Sequence, residues 1–300
     1  MSQTDIKTIG FIGYGAMGVR MGANLRRAGY RLVAYTPSGK SADPQTPILE
    51  SPKAVAEQSD AIILCVPNDS AQASSLLGDK GILAGIRPDT LLIDCSTVSP
   101  GAADKLAEIG RQHGIAVLDA PMSGSTPEAE KGELVMLVGG EDAALERARP
   151  ILEAVSKAIV HAGPAGSGAR LKLVINGIMG ATLNIVAEGV GYGLSAGLDR
   201  DMLFEALSQV AVISPHHKRK LAAAQRQDFS PQFPTRLMSK DMGLLTDAGR
   251  DVNAFMPSMA VADQALGLAR ANHADEDYSA LIGAIEHSVV QARGKGDKTS

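Results

Sequence analysis

Lys7–Gly29, KTIGFIGYGAMGVRMGANLRRAG, decides how the chain is read. KTIGFI is a short apolar run of strand length. Gly13, Gly15 and Gly18 follow at once in G-x-G-x-x-G spacing, and VRMGANLRRAG has a helical pattern closed by Gly29. The spacing carries chemistry only in this setting, between a strand and a helix. Gly13 allows the tight turn, Gly15 lets the backbone approach a pyrophosphate, and Gly18 lets the helix pack on the strand. A pyrophosphate would then meet the free N–H groups of the helix N-terminus. Gly13, Gly15, Ala16, Met17 and Gly18 are therefore the candidate dinucleotide-binding residues.

The next strand is Arg31–Tyr35. A carboxylate is expected just beyond it if the ribose hydroxyls of NAD are to be held. The sequence offers Thr36, Ser38 and Lys40 instead. Nothing there repels a 2′-phosphate, although no arginine provides a fork for it. The cofactor is NADP or NAD, with a slight lean to NADP.

Ala61–Pro67 and Thr90–Thr97 are apolar nearly to their ends, as parallel strands covered on both faces are. Ligands bind beyond the carboxyl ends of such strands, so Val66, Pro67 and Thr97 join the cofactor candidates. A short strand is expected near Pro47–Leu49 and a helix over Lys53–Gln58. Further strands are expected at Ile115–Ala120, Leu134–Val138 and Lys157–Val160, and helices at Gly101–His113, Pro127–Lys131 and Glu141–Ser156. Ser123, Gly124 and Ser125 precede the short Pro127–Lys131 helix, where they suit either a cap or a carboxylate site.

Gly166–Leu198 reads as one long helix with a glycine-rich entry. Lys172 and Asn176 lie four residues apart in it, which puts both on one helix face. Read alone, Lys172 snorkels to solvent along its apolar stem; read with the nucleotide motif, the pair faces a cleft between two domains. Beyond it, helical patterns cover Met202–Gln209, His216–Gln225, Lys240–Gly249, Ser258–Ala271 and Tyr278–Ala292. Residues 228–241, with Pro231 and Pro234, read as a loop. The HHKRK cluster at 216–220 reads as a solvated helix face, and the adjacent histidines as structural, so no metal is expected.

Bulk properties set limits. Three hundred residues suit two domains. A net charge of −4 gives no support for nucleic acid or an anionic membrane as partner. Cys65 and Cys95 end apolar runs and read as buried reduced thiols. With no secretory signal pattern at the start, a cytoplasmic location is expected, and no membrane span is expected either.

Five segments in order resemble the β-hydroxyacid dehydrogenase family, of the 3-hydroxyisobutyrate dehydrogenase type. They are Ile9–Gly29; DCSTVSP, Asp94–Pro100; DAPMSGS, Asp119–Ser125; GSGARLKLVIN, Gly166–Asn176; and KDMGLL, Lys240–Leu245. The resemblance implies that Lys172 is the general acid/base and that Asn176 holds the substrate beside it. It implies that Ser123 and Gly124 bind the substrate carboxylate, and that Thr97, Val66 and Pro67 touch the cofactor. Lys240 closes the site near the nicotinamide. Hydride transfer from an alcohol carbon needs a base for the hydroxyl proton, and a lysine serves near neutral pH if its pKa is lowered. Burial, or a second cation such as Lys240, would lower it.

Ser125 stands where this family often has glycine, so the favoured acid need not be hydroxyisobutyrate. Arg236 suits an anionic substrate and a solvated surface equally. The expected architecture is an α/β Rossmann-type domain, doubly wound on a mostly parallel sheet, over 1–163. An all-α substrate and dimerisation domain over 164–292 is joined to it by the long helix, and 293–300 forms a polar tail. The expected function is reversible NAD(P)-linked oxidation of a small 3-hydroxy acid, by a homodimer or homotetramer assembled through the helical domain. The alternatives are a carbonyl or imine reductase on the same fold, or a non-catalytic NAD(P)-binding module.

Overall fold

A computed structural model describes residues 6–296. The chain divides into two compact units, Met1–Leu173 and Val174–Ser300. In the first, β1 (Thr8–Ile12), β2 (Arg31–Tyr35), β3 (Ala61–Leu64), β4 (Leu91–Asp94) and β5 (Ala116–Asp119) run parallel in the order β2-β1-β3-β4-β5. The sheet continues through β6 (Met122–Ser123), β7 (Leu134–Gly139) and β8 (Ser156–Gly163). β7 is antiparallel to β5 and β6, whereas β8 is parallel to β7.

The helices of this unit are α1 (Ala16–Arg27), α2 (Pro52–Glu57), α3 (Asp69–Leu76), α4 (Pro100–His113), α5 (Thr126–Lys131) and α6 (Asp142–Glu153). They cover both faces, as the alternation along β3 shows. Ala61 and Ile63 lie in one apolar layer with Phe11, Ile93 and Leu118, and Ile62 and Leu64 in the other with Leu92 and Leu106. Strands buried on both sides need no polar alternation, which is why AIIL reads as continuous. Because β2 and β3 lie on opposite sides of β1, a crevice opens beyond the carboxyl ends of β1 and β3, where such sheets bind ligands.

α7 (Ser167–Ser195) begins in the first unit and continues through the second. The second unit adds α8 (Arg200–Gln209), α9 (Pro215–Gln225), α10 (Thr235–Asp251), α11 (Pro257–His273) and α12 (Ala280–Gly296). Leu183, Ala187 and Val190 of α7 join Phe204, Met238, Met242, Leu266 and Tyr278 in its core. α7 is long and apolar enough to cross a membrane by length and composition, with about half of its most apolar window buried in the protein. Its glycines set helix spacing: a Cβ on Gly177 would lie 2.2 Å from a Leu245 methyl, and one on Gly180 2.7 Å from the Met242 sulfur.

Four expectations are corrected. α3 lies in a stretch with no predicted helix; it is capped by Asn68, whose side chain accepts from Ala71 N. Its sequence, DSAQASSL, carries no apolar stripe to reveal it. α10 starts at Thr235, not Lys240, because Pro234 ends the loop and stands at the N-cap position. α12 runs to Gly296, past the expected start of the polar tail at 293, and 297–300 lie outside the described residues. Lys220, read as part of a solvated face, is 3 % exposed and paired with Asp277, its Nζ 2.8 and 2.9 Å from the two carboxylate oxygens.

Candidate active site

The three fingerprint glycines are distinguished by what surrounds them. Gly13 has φ +88°, and a Cβ there would sit 2.3 Å from the Cys65 carbonyl oxygen. Gly18 is pressed against the loop, its Cβ position 2.8 Å from Gly13 O. Gly15 has no heavy atom within 4 Å of its Cβ position and is exposed, with Ala16 beside it. No side chain caps the N-terminus of α1, and its first turn has no acidic residue. A close, open approach to uncapped N–H groups fits a pyrophosphate. Tyr14, between the glycines, points inward, and its hydroxyl donates to Asp43 Oδ2 at 2.8 Å.

Asp43 bears on the cofactor question. It lies in the loop after β2, eight residues beyond Tyr35, yet it is 7 % exposed. Arg26 Nη1, Tyr14 Oη and Thr46 Oγ1 all donate to the same oxygen, at 2.8, 2.8 and 2.7 Å. Burial pushes the Asp43 carboxyl up, but these donors outweigh it and hold it well below the usual carboxylate range. Thr36 is buried, its hydroxyl donating to the Lys40 carbonyl at 3.0 Å and lying 3.4 Å from Ser38 Oγ, while Ser38 and Lys40 are exposed.

Val66 and Pro67 follow β3, and Thr97 follows β4, at the same end of the sheet as the glycine loop. One hydroxyl ties the two turns together: Ser96 Oγ accepts from Val66 N at 3.0 Å. Buried Asp94 supports it, accepting from Ser96 N at 2.9 Å and from Gln72 Nε2 at 2.5 Å. Desolvation raises the Asp94 carboxyl, against the pull of these hydrogen bonds. Burial lifts the Cys65 thiol to about 12 and Cys95 well above its ordinary value, which suits packing, not nucleophilic chemistry.

Ser123 ends β6, and Gly124, at φ +127°, and Ser125 make the turn into α5. Ser125 is already engaged: its N–H and hydroxyl both donate to Glu128 Oε2 at 2.8 Å. Lys172, in the second turn of α7, is 8 % exposed. That helix starts on Asp119, at the end of β5, which accepts from the N–H groups of Gly166 and Ala169 at 2.7 and 2.8 Å. Burial raises the Asp119 carboxyl, and the backbone N–H groups of Gly166, Ala169 and Gly168 pull it the other way.

In the second unit, Asn176 is 1 % exposed and donates through Nδ2 to Asp241 Oδ2 at 2.6 Å. Its carbonyl Oδ1 is buried with no hydrogen-bond partner among the described residues. The Lys240 ammonium lies 2.9 Å from the other Asp241 oxygen, as an ion pair. Arg236 is half exposed and pairs with Asp275 at 2.9 Å, which favours its surface reading.

Asp43, Asp119 and Asp241 were not among the expected site residues. Asp119 and Asp241 do stand inside quoted motifs, DAPMSGS and KDMGLL. Among the described residues, no group of three or more His, Cys, Asp or Glu side chains could hold a metal ion.

A glycine fingerprint at the switch point of a doubly wound sheet, followed by a lysine-bearing helix and a helical unit, defines an NAD(P)-dependent dehydrogenase. Residues 8–163 match the family model for the NAD-binding domain of 6-phosphogluconate dehydrogenase. Residues 166–285 match that for the NAD-binding region of NADP-dependent 3-hydroxyisobutyrate dehydrogenase. NAD-dependent L-serine dehydrogenase of Pseudomonas aeruginosa is 33 % identical, over 92 % of this chain and 97 % of its own length. 2-(Hydroxymethyl)glutarate dehydrogenase of Eubacterium barkeri is 33 % identical over 91 % and 93 %. Among solved structures, Mycobacterium tuberculosis 3-hydroxyisobutyrate dehydrogenase with L-serine superposes with a TM-score of 0.82 at 30 % identity, covering 94 % of this chain and 99 % of that one. The chain belongs to the β-hydroxyacid dehydrogenase family, of the 3-hydroxyisobutyrate dehydrogenase type. Its members are NAD(P)-dependent dehydrogenases of small hydroxy acids.

Proposed function

We propose that this chain interconverts a small 3-hydroxy acid and its semialdehyde or keto form, with Lys172 as general acid/base. The observation that carries the reading is the burial of Lys172 and Asn176, at 8 % and 1 % exposure, on one helix one turn apart. Bound nicotinamide supplies the hydride acceptor in oxidation and the donor in reduction. As the carbinol C–H bond gives up its hydride, the hydroxyl proton passes to Lys172 Nζ and the C=O bond forms; reduction returns both. Asn176 holds the substrate oxygen, and Ser123 and Gly124 receive the carboxylate. Lys240 contributes positive charge beside Asp241. Ser125, committed to Glu128, shapes this pocket and leaves direct carboxylate binding to its neighbours.

Gly13, Gly15, Ala16, Met17 and Gly18 would hold the pyrophosphate, and Val66, Pro67 and Thr97 the nicotinamide side. We favour NADP. The first carboxylate after β2, Asp43, is occupied by Arg26, Tyr14 and Thr46, which leaves the exposed Ser38 and Lys40 for the adenosine ribose, while the Thr36 hydroxyl is committed to the Lys40 carbonyl. Residues 1–163 would form the cofactor domain and 164–292 the substrate and dimerisation domain. A homodimer or homotetramer through the helical unit is supported by Ile178, Ile185 and Tyr192, 55, 60 and 77 % exposed at seven-residue intervals along α7. The free thiols Cys65 and Cys95 favour a reducing, cytoplasmic setting. A spectrophotometric panel of 3-hydroxy acids with NAD and NADP, run with Lys172→Ala, tests the assignment.

A further inference from the structure

We infer that Asp119 is the positioning residue for Lys172, because its buried carboxylate is the anchor from which α7 starts. Asp119 ends β5 and is 4 % exposed. Its two oxygens are divided between two donors of one helix start: Oδ1 takes Gly166 N at 2.7 Å, and Oδ2 takes Ala169 N at 2.8 Å. These N–H groups lack intrahelical partners, and they form the positive end of the helix. Lys172 follows Ala169 by three residues, less than one turn.

The seat is tight. A Cβ on Gly168 would lie 2.2 Å from Leu137 O and 2.8 Å from Asp119 O. A Cβ on Gly139 would lie 2.5 Å from Asp119 Oδ1. Two glycines thus let the helix start and the sheet close around one carboxylate. The other side-chain tie on this turn, Arg170 to Asp104, is half exposed on both sides and holds little. The first turn can therefore settle at one height and rotation on the sheet, and Lys172 takes its place from that turn.

Asparagine cannot do the same work. Its side chain has one acceptor oxygen, and its NH₂ group would face an N–H donor. One of the two bonds is lost, and the turn shifts to relieve the donor pair. An acid/base group displaced by about an ångström loses rate far more than binding.

The inference rests on Lys172 as the general acid/base, and the test separates the two. Asp119→Asn, Lys172→Ala and wild type are compared for kcat, KM for the hydroxy acid that wild type turns over fastest, cofactor dissociation constant and melting temperature. For Asp119→Asn we expect kcat to fall roughly 10- to 100-fold, with KM and cofactor affinity within about threefold. If Asp119→Asn does not fold, Asp119→Ser, which sets no amide donor against the helix, carries the same expectation. A wild-type kcat in the folded variant, or kcat and cofactor affinity falling together, overturns the inference. Full turnover in Lys172→Ala would instead remove the reading beneath it.

Discussion

The Asn176 amide is turned by Asp241: Nδ2 donates to Oδ2 at 2.6 Å, while the Asn176 carbonyl keeps no hydrogen-bond partner among the described residues. A carboxylate can only accept, so the NH₂ group must face it and the carbonyl must face elsewhere. A buried acceptor left open costs about 1–3 kcal/mol, which a donor on the substrate would recover. Asp241 therefore fixes Asn176 with its carbonyl free to accept, which is the role the proposed function gives it toward the substrate.

Asp241→Ala should release that amide and raise KM for the hydroxy acid about 10-fold or more, following the cost of an unsatisfied buried group. Cofactor affinity should stay unchanged. Steady-state kinetics with the hydroxy acid varied at saturating cofactor checks this; an unchanged KM would show that the orientation of Asn176 is immaterial.

The fingerprint glycines should fail in different ways. Gly13→Ala meets the Cys65 carbonyl at 2.3 Å in a left-handed backbone, so it should lose stability, by roughly 1–3 kcal/mol from the backbone strain alone. Gly15→Ala meets no heavy atom within 4 Å, so it should melt like wild type while weakening the cofactor. Thermal melts beside fluorescence titrations with NADPH separate the two effects.

Cofactor choice should respond to the loop after β2. Lys40→Ala should raise KM for NADP about 5-fold, the scale of one exposed charge pair, and leave KM for NAD alone. Arg26→Ala should release Asp43 from one of its three side-chain donors and move preference toward NAD. The ratio of kcat/KM values for the two cofactors reads both changes.

Acid should weaken the helical unit by charging a buried histidine. Burial, followed by the charge of Lys220, lowers the His216 imidazole to about 4. In the unfolded chain it protonates near pH 6.5. Between these values the unfolded state binds the extra proton, so stability falls as pH drops from about 6.5 to about 4. The slope from this group is at most ~1.4 kcal/mol per pH unit. Urea midpoints at pH 7, 5.5 and 4.5 should show it, and His216→Phe should reduce it, with His217, also lowered by burial, keeping the remainder.

The elements most legible in the sequence were those whose pattern is local. β1 and α1 followed from the glycine spacing and β2 from its apolar run, while the long helix followed from one continuous, largely apolar segment with a glycine-rich entry. α3 was missed because its stability comes from the Asn68 cap and its seat in the fold, not from an apolar stripe. Lys220 was misread because its partner, Asp277, lies 57 residues away. The same reason hid Asp43 and Asp119: each is defined by donors that the fold brings together from elsewhere in the chain. Asp241 was hidden differently, because Lys240 beside it attracted the reading.

In the proposed reaction Lys172 moves the proton. The most direct measurement is the turnover of Lys172→Ala on the best hydroxy acid of the panel, with NADPH binding measured on the same preparation. Turnover should fall by orders of magnitude while NADPH binds as in wild type. A Lys172→Ala enzyme that keeps wild-type kcat and pH profile would contradict it.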